Sequence, residues 1–174
     1  LTVGMPTQQI YMGEFVGSPE VKFQMRKFLW IGSPDRNPSI LYMRSDTPYK
    51  TMDDVINSKA APKCGGTGFE SSSMLVAVEE ALGAKFELVL GYQGANEVDL
   101  AVVRGEVVCR TLGLTAHFSR EPFHSWHAKG FDRHLFQTGR KRDSRASETP
   151  TIYELMERYK TPDISRRAVE VLAL

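Results

Sequence analysis

The segment Gly65-Gly66-Thr67-Gly68-Phe69-Glu70-Ser71-Ser72-Ser73 has the residue types of an anion cradle. Glycines let the backbone turn tightly and approach a ligand closely. The helix expected to follow begins with unpaired N–H groups at the positive end of its dipole, and three serine hydroxyls stand beside them. This chemistry suits a carboxylate or a phosphate. The segment is no P-loop, because no Gly-Lys-Ser/Thr completes it, and it lacks the three-glycine spacing of a dinucleotide fingerprint. The same residues also make a plain glycine turn before a capped helix with its serines in solvent. Motif chemistry alone leaves both readings open.

Other reactive residue types carry less. His124 and His127, with His117 and His134 nearby, are the residue type of a metal centre. Their spacing is loose and no cysteine or acid accompanies them in register, so the expectation is a surface or partly buried set of histidines and no metal. The run Arg140-Lys141-Arg142-Asp143-Ser144-Arg145 is short and contains an acid, and it reads as a solvated loop rather than a nucleic-acid patch. Cys64 beside the glycine loop permits a thiol nucleophile on paper, with a histidine as base. A cysteine at the end of a buried strand is more often plain core. Cys64 and Cys109, 45 residues apart, are too few for a disulfide framework; they could pair in an oxidising compartment, but two buried free thiols are the expectation. The neighbouring acids Asp53 and Asp54, and Glu79 and Glu80, point to different helix faces and form no dyad. Catalysis has no strong candidate, and no cofactor is implied.

The elements that must position the glycine loop have an α/β rhythm. Ser39 to Arg44 reads as a buried strand, and Thr51 caps a helix running to about Lys59. Lys63 to Gly66 is a short strand feeding the loop, and a helix follows from about Ser71 to Leu82, closed by Gly83. Lys85 to Leu90 is a strand, Gly91-Tyr92-Gln93-Gly94 a turn, Ala95 to Arg104 a helix closed by Gly105, and Glu106 to Cys109 a strand. Such alternation implies parallel βαβ units, with ligands at the carboxyl ends of the strands, where both glycine turns lie. Thr115 to Lys129 holds short helices, Phe131 to Gln137 a strand, Thr138 to Thr149 a polar loop, and Thr151 to Tyr159 and Ser165 to Leu174 helices. Ser33 to Pro38 is a loop by composition.

Composition bounds the function classes. The 174 residues are 41% hydrophobic and 25% charged, with 22 basic against 21 acidic side chains and a net charge of +1. These are ordinary globular values that exclude a disordered or collagen-like chain, and they give no general reason to expect nucleic acid or an anionic membrane. The apolar runs are too short for a spanning helix. The chain opens on Leu1, which suggests a piece of something longer.

Five segments together resemble the receptors of tripartite tricarboxylate transporters, the TctC or Bug family. Asp46-Thr47-Pro48-Tyr49-Lys50-Thr51-Met52-Asp53-Asp54-Val55 is similar to its "sP-x-K-T-l-d-d-l". Gly66 to Leu75 is similar to its "S-x-G-x-G-S/T-x-x-H-L", and Val89 to Ala95 to its "V-P-Y-K-G-a". Gly105-Glu106-Val107 is similar to "G-E/Q-V-D", and Glu148 to Glu154 to "v-P-T-l-x-E". They occur in the family's order. This chain departs at Glu70, Met74, Gly91, Gln93 and Val108, where the family has glycine, histidine, proline, lysine and an acid.

The resemblance implies an α/β, type II periplasmic-binding-protein-like fold, a mostly parallel sheet flanked by helices, here as a fragment. Residues 1–38 would be part of a first lobe, 39–137 a second lobe with two hinge strands, and 138–174 a return to the first lobe. It implies an extracytoplasmic or periplasmic solute-binding protein that captures a small organic acid for membrane transporter subunits, without catalysis. The implied ligand contacts are Thr67, Gly68, Ser71, Ser72, Tyr92, Gly94 and Ala95, with the N–H groups of Ser71 and Ser72 on the anion. Two other readings remain: a phosphate-binding α/β enzyme using the loop from Gly65 to Ser73, and a ligand-sensing effector domain of a regulator. A cut through the first lobe would leave Phe28, Leu29, Trp30 and the last helix short of partners, favouring self-association.

Overall fold

The structure, a computed structural model, describes Gly4 and residues 10–19, 21–32 and 37–173, without the side chains of Ile10, Met12, Phe69, Glu70 and Ser71. Residues 33–36 of the expected loop, and Leu174 at the end of the last helix, lie outside the described residues. The chain divides into two compact units, residues 1–36 and 37–174. In the first, helix α1 (Ile10–Phe15) and a 3-10 turn (Met25–Lys27) are tied by the Met25 N–H, which donates to Glu14 Oε2 at 2.7 Å. Leu29 and Ile31 are 95% and 91% exposed, with Phe28 and Trp30 exposed beside them.

The second unit runs β1 (Ser39–Arg44), α2 (Met52–Asn57), β2 (Lys63–Gly65), α3 (Phe69–Leu82), β3 (Glu87–Val89), α4 (Ala95–Arg104), β4 (Cys109–Gly113), α5 (Leu114–Ser119), α6 (Phe123–Ala128), β5 (Asp132–Gln137), α7 (Ile152–Arg158) and α8 (Asp163–Leu172). The sheet order is β3-β2-β4-β1-β5. Strand β2 is parallel to β3 and β4, and β1 is antiparallel to β4 and β5. Four of the five strands therefore point one way, and the α/β, mostly parallel arrangement expected from the alternation is observed.

Local chemistry sets the boundaries. Thr51 and Thr151 each close a capping box, with Asp54 and Glu154 as the reciprocal partners. Helix α3 starts two residues before Ser71, because Gly66 N–H still pairs with Val89 O at 3.0 Å and leaves only Thr67 and Gly68 to turn. Strand β3 is shorter than expected, since Phe86 N–H donates to Glu79 Oε1 at 2.6 Å instead of to a neighbouring strand. Strand β4 begins only at Cys109, not Glu106. The N–H groups of Glu106 and Val107 fold back to Ala101 O at 2.9 and 3.5 Å as α4 closes over Gly105, whose φ is +77°. Sheet pairing starts with Val108 N–H on Lys63 O at 2.7 Å.

The sheet buries both faces. One carries Leu41, Met43, Cys64, Leu135 and Phe136 against Leu75, Val78 and Leu82 of α3, Leu155 and Met156 of α7, and Val169 of α8. The other carries Tyr42 against Ala101, Val102, Val107 and Phe123. Each fully buried Leu, Met or Phe contributes about 1.5–3 kcal/mol. Leu135 and Phe136 share a face because Leu41 pairs with Phe136 and Tyr42 with His134, leaving Leu135 as the extra residue of a bulge. The polar loop from Thr138 to Thr149 is anchored by buried Gln137, whose Nε2 donates to Ala146 O and Thr149 O at 2.9 and 2.8 Å while its Oε1 accepts from Asp143 N–H at 2.8 Å. Thr161 Oγ1 donates to Ala81 O at 2.7 Å and fixes the α7–α8 link on the end of α3. Among the described residues no helix is long and apolar enough to cross a membrane.

Cys64 and Cys109 form a disulfide with Cα atoms 4.4 Å apart, and no cysteine is free. The expectation of two free thiols is corrected by register. The β2-α3-β3-α4 crossover returns β4 beside β2 with Cys64 directly opposite Cys109, which sequence separation alone does not reveal. Closing 45 residues of chain restricts the unfolded state by about 4 kcal/mol in the loop-entropy treatment. Replacing both cysteines by alanine is therefore expected to lower unfolding stability by about 2–4 kcal/mol. Urea denaturation checks this; unchanged stability would contradict it.

Candidate functional site

The two glycine turns leave adjacent strands at the same end. Lys63, Cys64 and Gly65 pair in parallel register with Glu87, Leu88 and Val89, so residues 66–68 and 90–94 emerge side by side. The first turn feeds α3, whose opening N–H groups belong to Phe69, Glu70, Ser71 and Ser72. The second feeds α4, with extended Gly94 as its N-cap and no side chain capping it. Gly91 has φ +97°, a conformation that glycine adopts at little cost.

Each expected contact has a definite place. Thr67 is exposed and Gly68 half-buried in the first turn, while the Ser71 side chain lies outside the described residues. Ser72 is 2% exposed. Tyr92 is half-buried and packs on the cluster around Tyr42 and Val102. Its ring edge stands 3.6 Å from where a Gly65 Cβ would be. Gly94 and Ala95 open α4. The structure thus brings the two turns together. It also buries Ser72, in a run of covered residues from 72 to 75 at the start of α3.

An ionic clamp beneath the second turn escaped the sequence reading. Arg110 on β4 pairs with Asp99 Oδ1 and donates to Ala95 O at 3.0 Å, and Tyr42 O–H donates to the same Asp99 oxygen at 3.3 Å. Burial pushes the Tyr42 phenol far up, opposed by Arg110 and reinforced by Asp99, so it remains a neutral donor. The clamp ties the first turn of α4 to β4 and β1. Its legible signal was Asp99 itself, an acid between Val98 and Val102 on the buried helix face, where a charge needs a partner. Glu97 Oε2 also accepts from Gln93 N–H at 2.8 Å, placing one carboxylate at the start of α4.

The histidines are not the loose set expected from their spacing. His117 of α5, His127 of α6, and Asp132 and His134 of β5 each offer one donor atom, and these atoms all lie within 4.8 Å of one another. Burial, then the neighbouring His117, pushes His134 down to about 4, leaving its ring neutral at pH 7. His124 stays outside this group, exposed beside Glu121. The acid missing from the sequence pattern is Asp132, which β5 carries two residues from His134 on the same face.

This architecture is that of a periplasmic-binding-protein-like α/β fold. The chain is similar to a TctC solute-binding protein from Polaromonas at 18% identity and TM-score 0.58, covering 79% of this chain and 51% of that one. It is similar to an R. palustris protein solved with adipate at 19% identity and TM-score 0.58, covering 79% and 50%. The periplasmic binding protein BugD matches at 17% identity and TM-score 0.57, covering 78% and 50%. The fold is therefore shared with TctC and Bug solute-binding proteins, and the chain spans about half the length of these structures. No family model and no curated protein matches it.

Gly65 fixes the approach of the two turns. A Cβ there would stand 2.7 Å from Val98 Cγ1 and 3.0 Å from Val107 Cγ2, both in the packed interior. Gly65→Ala is expected to cost about 1–3 kcal/mol through overpacking, read by chemical denaturation. A neutral effect would mean that α4 moves away freely.

Proposed function

We propose that this chain carries one side of the ligand cleft of an extracytoplasmic solute-binding protein, which captures a small organic acid for a tripartite tricarboxylate-type transporter and performs no catalysis. The observation that carries this reading is the pair of glycine turns on adjacent parallel strands, each opening a helix of ten or more residues. Their backbone N–H groups suit a carboxylate. The ordered segments from Asp46 to Glu154 and the shared fold support it, as does the adipate in one similar structure. The disulfide favours an oxidising compartment and removes Cys64 as a thiol nucleophile.

In this reading Thr67, Gly68, Ser71, Ser72, Tyr92, Gly94 and Ala95 contact the acid, the last through the turn that Arg110 holds. Residues 39–137 form the second lobe, with β1 and β5 as paired hinge strands, and residues 1–38 belong to the first. The stretch from 138 to 174, expected with the first lobe, packs in one unit with residues 37–137.

Calorimetric titration of a panel of mono-, di- and tricarboxylates tests the proposal. At least one is expected to bind, and Ser71→Pro is expected to abolish that binding by deleting an N–H donor. Silence across the panel, or unchanged affinity in the variant, would overturn it.

The same reading implies exposed lobe-forming surface and self-association of this chain. Leu29, Ile31 and, on α8, Ile164 are 95%, 91% and 76% exposed. Light scattering across a concentration series is expected to show mass rising with concentration; a constant monomer mass would contradict it.

A further inference from the structure

We propose that His117, His127, Asp132 and His134 form a closed site for a divalent transition-metal ion, with zinc the best match. The four residues come from three elements, α5, α6 and β5, that the fold brings together. His117 Nε2 and His134 Nε2 face each other at 2.8 Å. Asp132 Oδ2 stands 3.2 Å from His117 Nε2 and 3.9 Å from His134 Nε2, and Asp132 Oδ1 stands 3.9 Å from His127 Nδ1. Ligands at zinc bond lengths in a tetrahedron lie roughly 3.3 Å apart, so small side-chain shifts bring these donors around one ion.

The observation that demands a cation is Asp132. Its side chain is fully buried, yet neither carboxylate oxygen accepts a hydrogen bond. Burying a carboxylate without compensation costs several kcal/mol. No lysine or arginine among the described residues pairs with it. Arg44, its cross-strand partner, spends its guanidinium on Asp46 and the carbonyls of Val102 and Val103. Arg133, its neighbour in sequence, donates to Ser45 O. What faces Asp132 is imidazole nitrogen; His117 and His134 share one 2.8 Å contact in which one ring donates to the other, which leaves the carboxylate without a donor. A metal ion supplies what this arrangement lacks: it neutralises the carboxylate and takes a lone pair from each ring. Three imidazoles and one carboxylate are a ligand set that zinc takes, and four protein ligands leave no open position, as in structural rather than catalytic sites. His127 is 46% exposed and gives the ion its entry. The bound ion would tie the two six-residue helices α5 and α6 to β5.

The test uses the untagged 174-residue chain, stripped with chelator and titrated with zinc chloride. Zinc is expected to bind one to one and to raise the melting temperature by roughly 5 °C or more at an excess of about a hundredfold over Kd. Cobalt(II) in its place is expected to give the visible bands of a tetrahedral site. Loss of a direct ligand in Asp132→Asn or His134→Gln should weaken zinc binding by about 100-fold or more, beyond the ~10–100-fold effect of outer partners. His127→Ala, on an exposed ring, should weaken it by at least about tenfold, while His124→Ala leaves it unchanged. If the buried variants fail to fold, His127→Ala decides alone. Absence of stoichiometric zinc binding, or the same affinity in His127→Ala, would overturn the proposal and leave a metal-free Asp–His cluster.

Discussion

Strand β2 is three residues long, and each of the three carries a separate constraint on which the rest depends. Lys63 accepts Val108 N–H and starts the pairing with β4. Cys64 is bonded across that pairing to Cys109. Gly65 can have no side chain, because Val98 and Val107 occupy the space. The register with β3 then follows, and with it the adjacency of the two glycine turns. A shift of one residue would turn Cys64 toward α4 and put a side chain where Gly65 lies, so register and site geometry are one problem.

The elements legible in the sequence are those whose signals are local. Thr51 with Asp54, and Thr151 with Glu154, announce their helices because a capping box is complete within four residues. Gly105 announces the end of α4 for the same reason. What stayed hidden depends on partners far along the chain. The start of β4 moved because α4 keeps Glu106 and Val107 for its own closure. The disulfide depends on a crossover. The ionic clamp on α4 joins residues 42, 99 and 110, and the histidine cluster joins the strand pair Asp132 and His134 to His117 and His127 on two separate helices. The glycine turns were legible as turns. The burial of Ser72 was not, because it depends on how α3 is covered by the rest of the fold.

Charge sharpens the reading of the turns. With a net charge of +1, the chain offers no general field to draw in an anion, so selectivity has to come from local donors. At α4 those donors are contested: Glu97 already accepts from Gln93 N–H, and its charge disfavours a second carboxylate beside it. Arg110 opposes this effect only in part, since Asp99 neutralises it. The start of α3 is no different in this respect, since Glu70 is the second residue of that helix, so each helix start carries one acidic residue in its first turn.

The two faces of the sheet divide the work. The face under α3, α7 and α8 holds the larger apolar cluster and carries most of the stability. The opposite face alternates aromatic rings with ionisable groups, placing Tyr42, His117 and Asp132 within one packed region. A folded chain tolerates buried charge only where a specific partner compensates it. Asp99 has Arg110 and Tyr42. Asp132, more deeply enclosed on the same face, has only imidazoles. That asymmetry between two buried acids, one fully paired and one not, is the strongest reason to look for a missing positive charge at β5 rather than at the glycine turns.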